Sequence, residues 1–270
     1  MLHSKLLNTL ILAALAVPSV AMAEGAPASP HTFTANVGLT TDYIFRGIAQ
    51  TSHNPAIQGG LDYAHASGFY AGVWGSNVSW IADSGAVATG SVTMELDTYL
   101  GFRNTFADDF SYDVGFIRYN YLGSYTAAAN PFIAGTNLAK ADTDEIYGAI
   151  SYKWLTAKYS HGLGQFLTVP GAQGTNYFEL NASVPVADTG ITLGAHVGKQ
   201  TYKGTTTSLA TAAGVTPTYT DYKVSLSKDF SGYVIGLAYT DTNASPFYTW
   251  PTNGGDWGKG TAALSLTHAF

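Results

Sequence analysis

An almost unbroken two-residue rhythm of apolar and polar side chains constrains this chain more than any other feature. From Val92 to Asn104, the residues Val92, Met94, Leu96, Thr98, Leu100 and Phe102 fall on one side. Thr93, Glu95, Asp97, Tyr99, Gly101 and Arg103 fall on the other, as they must if the segment is extended and successive Cβ atoms point to opposite faces. The rhythm returns in Tyr177 to Val186, where Phe178, Leu180, Ala182 and Val184 oppose Tyr177, Glu179, Asn181 and Ser183. It returns again in Ile191 to Gln200, where Ile191, Leu193, Ala195 and Val197 oppose Thr192, Gly194, His196 and Gln200. About twelve such strand-length segments follow one another, separated by Gly, Asp, Asn and Ser clusters.

Alternation of this kind fits a soluble sandwich as well as a membrane barrel, so the connections have to decide. Short turns are expected at Ala66-Ser67-Gly68, Ala107-Asp108-Asp109, Lys153-Trp154, Ala187 to Gly190 and Asp229 to Gly232. Longer connections lie between them: Ala49 to Pro55, Ile81 to Gly90, Leu122 to Asp142, Phe166 to Thr175, Gly204 to Thr218 and Asn243 to Trp257. Strict alternation of short and long connections is the habit of outer-membrane barrels, whose periplasmic turns are tight and whose outer loops are long. Long structureless loops are uncommon inside a compact soluble domain. The expected fold is therefore all-β, a transmembrane antiparallel β-barrel of about twelve strands.

Composition agrees. Only 11% of residues are charged while 46% are hydrophobic, against roughly 25% charged in soluble domains. No segment beyond the N-terminus is apolar enough for a membrane helix, and a membrane protein without membrane helices has to be a barrel. The net charge of −6 and the absence of Lys/Arg runs argue against nucleic-acid binding. There is no cysteine, hence no disulfide, lipid-attachment site or thiolate metal site. The histidines, among them His53, His65, His161, His196 and His268, lack metal-ligand spacing, so no cofactor or metal is expected.

At the N-terminus, Lys5 precedes a largely apolar run from Leu6 to Val17, interrupted at Asn8-Thr9, then Pro18-Ser19-Val20 and Ala21-Met22-Ala23. Basic start, short apolar core and small residues at a cut form a secretory signal. We expect a signal peptide over residues 1–23, cleaved after Ala23, a short polar leader over 24–32 and the barrel over 33–270. The location implied is the bacterial outer membrane, in contact with its lipids.

The last strand is expected from Lys259 to Phe270, with Ala262, Leu264, Leu266, His268 and Phe270 on one face. The terminal Phe270 resembles the signal by which the barrel-assembly machinery recognises its clients; His268 stands where an apolar residue is commoner. With 18 Tyr, 13 Phe and 5 Trp the chain has ample material for aromatic girdles, to which we assign Tyr43, Phe45, Trp80, Phe106, Phe110, Tyr121, Trp154 and Phe230.

The run Leu39-Thr40-Thr41-Asp42-Tyr43-Ile44-Phe45-Arg46-Gly47-Ile48-Ala49-Gln50-Thr51, then Pro55 to Tyr63 and Gly68 to Asn77, resembles the opening of the TorF-type porins of proteobacteria. That resemblance implies an outer-membrane barrel of poorly defined function; it carries over no catalytic residue and no substrate.

Strand phase places Asp42 and Arg46 on the lumen face of the first strand, Asp62 on that of the second, and Glu95, Asp97 and Arg103 on that of the fourth. Asp113, Glu145, Lys153, Lys158, Glu179, Lys223 and Lys259 are further pore-lining candidates, each in phase with polar neighbours. Such a mixed ring would set the field in a narrow channel for small hydrophilic solutes or ions, with Arg46, Glu95, Asp97 and Arg103 as the selectivity wall. The Leu122 to Asp142 connection is a candidate inward constriction. Two other readings stay open. One is a closed structural or ligand-binding barrel. The other is a lipid hydrolase, although Ser160 and His161, adjacent in a strand, point to opposite faces and suit catalysis poorly. The pattern does not specify how many barrels associate.

Overall fold

The computed structural model describes residues 29–131, 133–244, 246–250 and 255–270. The expected signal peptide and its cleavage after Ala23 lie outside these residues. Twelve strands form one closed antiparallel barrel. The first six are β1 (His31–Thr40), β2 (Ala56–His65), β3 (Phe69–Asn77), β4 (Met94–Ala107), β5 (Phe110–Leu122) and β6 (Thr143–Tyr152). The others are β7 (Leu155–Gly162), β8 (Asn176–Val186), β9 (Ile191–Thr201), β10 (Tyr219–Phe230), β11 (Tyr233–Thr242) and β12 (Thr261–Ala269).

Each strand pairs with its sequence neighbour, and β1 pairs with β12 from Asn36↔Ala269 to Thr40↔Ser265. Phe270 continues that seam: its N–H donates to the Ala35 carbonyl (2.8 Å), and the Ala35 N–H donates to the Phe270 carbonyl (3.3 Å). Closure removes every unpaired edge, which hydrocarbon would otherwise penalise by several kcal/mol per bare polar group.

The five short turns and six long loops alternate as the sequence predicts. At Ser231-Gly232 both residues take positive φ (56° and 94°), the type I′ geometry that matches strand twist in a two-residue hairpin. Strand phase follows the alternation too. Leu39, Ile57, Leu61, Leu100, Val114, Ile150, Leu180, Leu193, Val224, Leu237 and Leu264 stand exposed on the outer wall, a band that only lipid can cover favourably. The barrel therefore spans a membrane.

At the end carrying the short turns, Phe106, Phe110, Tyr152, Trp154, Phe230, Tyr233 and Phe270 form an exposed girdle. The unexpected His268 belongs to it. Its ring stacks on Tyr233 (4.2 Å between centroids), meets Phe270 edge-on (4.6 Å), and places Nδ1 2.8 Å from the Gly232 carbonyl.

Several boundaries differ from the sequence expectation. β1 ends at Thr40, so Asp42 and Arg46 lie in the following loop. β4 starts at Met94, and Val92 is a buried loop residue. β12 starts at Thr261, leaving Lys259 in the last loop. The first two shifts share one physical cause: the outer loops turn into the barrel instead of standing away from it. Ile48, Ala49, Val78, Trp80, Ile81, Val92, Tyr125, Ala141, Tyr248 and Trp257 are buried together, and Phe166, Val169, Ala172 and Tyr202 form a second buried group. All six long loops thus contribute to a core inside the outer half of the barrel. Tyr43, Phe45, Trp80 and Tyr121, assigned from sequence to the girdles, belong to that interior: Tyr43 meets Trp74, Phe45 meets Tyr119 and Trp80 meets Tyr121, each edge-on near 5.5 Å.

Candidate functional site

The loop spanning residues 41–55 folds back on itself as a miniature hairpin, Ile44–Phe45 against Ile48–Ala49. Its tip is Arg46-Gly47, with φ of 47° and 79°. A Cβ on Gly47 would run into the side chains of Asp221 and Thr242, so this residue has to be glycine for reasons of both conformation and space.

The hairpin delivers Arg46 into the wall. Its Nη1 donates to Glu145 Oε1 (3.0 Å) and Gln200 Oε1 (2.9 Å), while Nη2 donates to Glu145 Oε2 (2.7 Å). This two-pronged grip is the strongest geometry available to a guanidinium and a carboxylate. The guanidinium lies 4.4 Å from the Tyr177 ring centroid and 4.8 Å from that of Phe45. The Tyr119 hydroxyl donates to Glu145 Oε2 at 3.1 Å. The Arg46 side chain is only 8% exposed and that of Glu145 1%, so each charge depends on the other for compensation.

Two further groups of polar side chains adjoin this pair. Glu95 and Asp97 are buried on β4; Tyr121 donates to Glu95 Oε1 (3.2 Å), whereas Asp97 Oδ1 has no hydrogen-bond partner. On the opposite side, the Tyr177 hydroxyl donates to Asp221 at 3.0 Å. His196 bridges Asp221 (Nε2, 2.9 Å) and Asn181 (Nδ1, 2.7 Å), with Glu179 3.6 Å from Nδ1.

Nearer the short turns the charged side chains of the wall are more exposed. Tyr99 donates to Asp62 and Tyr70 to Asp113, both at 2.6 Å. Arg103 lies over the Tyr70 ring (5.0 Å) and Lys158 over that of Tyr147 (4.4 Å). These tyrosines lie flat because glycines on adjacent strands leave them room. A Cβ at Gly72, Gly101, Gly115 or Gly198 would collide with Tyr99, Tyr70, Tyr147 or Tyr177 respectively.

At the mouth, His53 Nδ1 lies 2.7 Å from Asp42 Oδ2, and its Nε2 lies 3.2 Å from the Asp256 carbonyl, tying the first and last outer loops together. Burial pushes the Asp42 carboxyl above its ordinary pKa, and His53 pulls it back down.

The sequence candidates therefore divide. Asp62, Glu95, Asp97, Arg103, Asp113, Glu145, Lys158, Glu179 and Lys223 sit on wall strands in the inward phase. Asp42 and Arg46 reach the interior from a loop. Lys153 occupies an exposed turn beside Asp109 (3.5 Å), and Lys259 is exposed in the last outer loop; neither lines the interior, because each lies beyond the end of a strand. Tyr119, Tyr177, Gln200 and Asp221 complete the site without a motif that marks them. The polar phase that contains Gln200 and Tyr177 is their only available signal. The 123–142 connection does turn inward, burying Tyr125 and Ala141, but the loop that reaches the charged wall is 41–55. Ser160 is buried on the inner face of β7, while His161 lies near Tyr159 on the outer one, so the two do not form a dyad.

The model of a family of bacterial proteins of unknown function, Gcw_chp, matches residues 24–270. The chain belongs to this family. In a bacterial protein, a closed barrel with an apolar outer band resides in the outer membrane. None of the curated proteins matches the sequence. Among solved structures, the KdgM porin is 10% identical, with 88% of this chain and 99% of that one aligned at a TM-score of 0.49. The NanC porin is 8% identical, with the same two coverages and a TM-score of 0.49. OprD from Pseudomonas aeruginosa is 13% identical, covering 88% of this chain and 64% of that one at a TM-score of 0.38.

Proposed function

We propose that this protein is a diffusion channel of the outer membrane, of the TorF-type porin kind, that passes small hydrophilic solutes or ions through a charged lumen narrowed from outside by the 41–55 hairpin. The observation that carries the reading is the wall itself. Inward positions from the Glu145–Gln200 level to the Asp113–Lys158 level hold mainly carboxylates, bases, amides and hydroxyls, with Ile117 and Trp74 among them, while most apolar residues of the same strands face lipid. Such polarity suits a water-filled lumen where the wall stays exposed or half-buried, as at Arg103 and Lys158, and rings of fixed charge within low-dielectric walls discriminate solutes by charge and size. No cofactor is needed. Residues 1–23 would be removed on export, and Phe270 would be read by the assembly machinery.

A second reading, a closed structural or ligand-binding barrel, is favoured by the apolar core that the loops bury in the outer half. The test is to refold residues 24–270, insert the protein into planar bilayers, and record single-channel currents with defined reversal potentials. Conductance steps altered by Glu95→Gln or Arg46→Gln support the channel. A folded, silent barrel supports the closed reading, and release of fatty acid from phospholipid would support a lipid hydrolase.

A further inference from the structure

The surroundings of Arg46 have the make-up of a ligand site whose occupant is tethered. Apart from its neighbour Phe45, the groups around the guanidinium come from elsewhere in the molecule. Glu145 stands on β6, Gln200 on β9 and Tyr177 on β8, with Phe166 at 5.9 Å from the β7–β8 loop and Tyr119 on β5 holding Glu145. The strands that carry Glu145, Gln200, Tyr177 and Tyr119 are held by continuous ladders, so the wall and not the hairpin sets the backbone positions of these residues. The donor, by contrast, sits at the tip of a turn in a loop.

The components are selective as well as cationic. A carboxylate gripping two nitrogens, an amide oxygen at 2.9 Å and a ring face suit a flat, forked cation; a spherical ion or an ammonium would use only part of them. Withdrawal of Arg46 would leave Glu145 without a counter-charge, near the buried Asp97, whose Oδ1 has no hydrogen-bond partner.

We infer that the lumen contains a binding site for guanidinium- or amidinium-bearing solutes, formed by Glu145, Gln200 and Tyr177, which Arg46 occupies as a built-in competitor that closes the channel. This inference rests on the channel reading for its consequence but not for the site. A solute with a guanidinium group would compete with Arg46, enter the wall site and release the hairpin.

The test uses methylguanidinium chloride against sodium chloride of equal ionic strength, on the refolded 24–270 protein in detergent and in bilayers. Arg46→Ala should bind methylguanidinium by titration calorimetry at least tenfold more tightly than the wild type. Arg46→Ala/Glu145→Gln should lose that binding. Arg46→Lys keeps the charge Glu145 requires but not the fork; should Arg46→Ala not refold, it carries the same comparison. In bilayers, Arg46→Ala should conduct more than the wild type and be blocked by methylguanidinium. Absent or equal binding in all variants would overturn the inference. Binding in the expected order with no current in any variant would leave the site standing and overturn the channel reading.

Discussion

In the half of the lumen nearest the short turns, Asp113, Arg103 and Lys158 meet Tyr70 and Tyr147 and keep contact with water, Arg103 being exposed and Lys158 half-buried. In the outer half, Arg46, Glu145, Glu95 and Asp97 lie beneath loops that have turned inward. The strands supply the same inward polarity at both levels, so wall polarity alone does not distinguish a filled interior from an open one. What differs is the price of a missing partner. A wet charge needs none, whereas a buried one is stable only while its counter-charge stays in place.

The sharpest way to break this comparison is Glu145→Gln. It strands the Arg46 guanidinium in the interior, a loss of about 3–5 kcal/mol. The hairpin should relieve that cost by leaving the lumen, so trypsin should cleave after Arg46 in the folded mutant barrel and spare the wild type. Asp113→Asn, in the wet half, should leave protease resistance and urea stability almost unchanged. Equal behaviour of the two variants would end the distinction between the halves.

Next in size is the contrast between the two faces of one strand. Leu180→Arg, on the lipid side of β8, should cost about 2–4 kcal/mol in urea unfolding from vesicles. Ser183→Arg, on the inner side of the same strand, should cost far less. Equal losses would refute the strand phase.

Gly72→Ala pushes a methyl into the Tyr99 ring and should cost about 1–3 kcal/mol by the same assay. Tyr99→Ala should cost less in that background than by itself, since the collision is then already removed. The smallest effect belongs to the outward-facing pair of Arg118 and Asp144 (2.9 Å), both more than a third exposed. Arg118→Ala should cost between about 0 and 1 kcal/mol, less still at high salt.

Much of the barrel is legible in the residue pattern. Leu96, Leu100 and Phe102 against Glu95, Asp97 and Tyr99 set the phase of β4, and turn residues such as Ser231-Gly232 mark where the chain reverses. Glu95, Asp97, Glu145 and Glu179 fall on the inner face for the same reason. Lys153 and Lys259 depart from the expectation because phase holds only within a strand, and both lie beyond a strand end. Tyr43, Phe45, Trp80 and Tyr121 depart from it because an aromatic residue near a strand end serves a lipid interface and an infolded loop equally well.

Strand phase, turn sites, the lipid-facing band and the alternation of short and long connections depend on neighbours one or two residues apart and can be read from residue order. The meeting of Arg46 with Glu145 and Gln200, 99 and 154 residues away along the chain, and the inward turn of the outer loops emerge only from the folded chain. Extended backbone imposes its period locally, whereas a loop's direction is chosen by whichever distant wall offers its buried charge a partner.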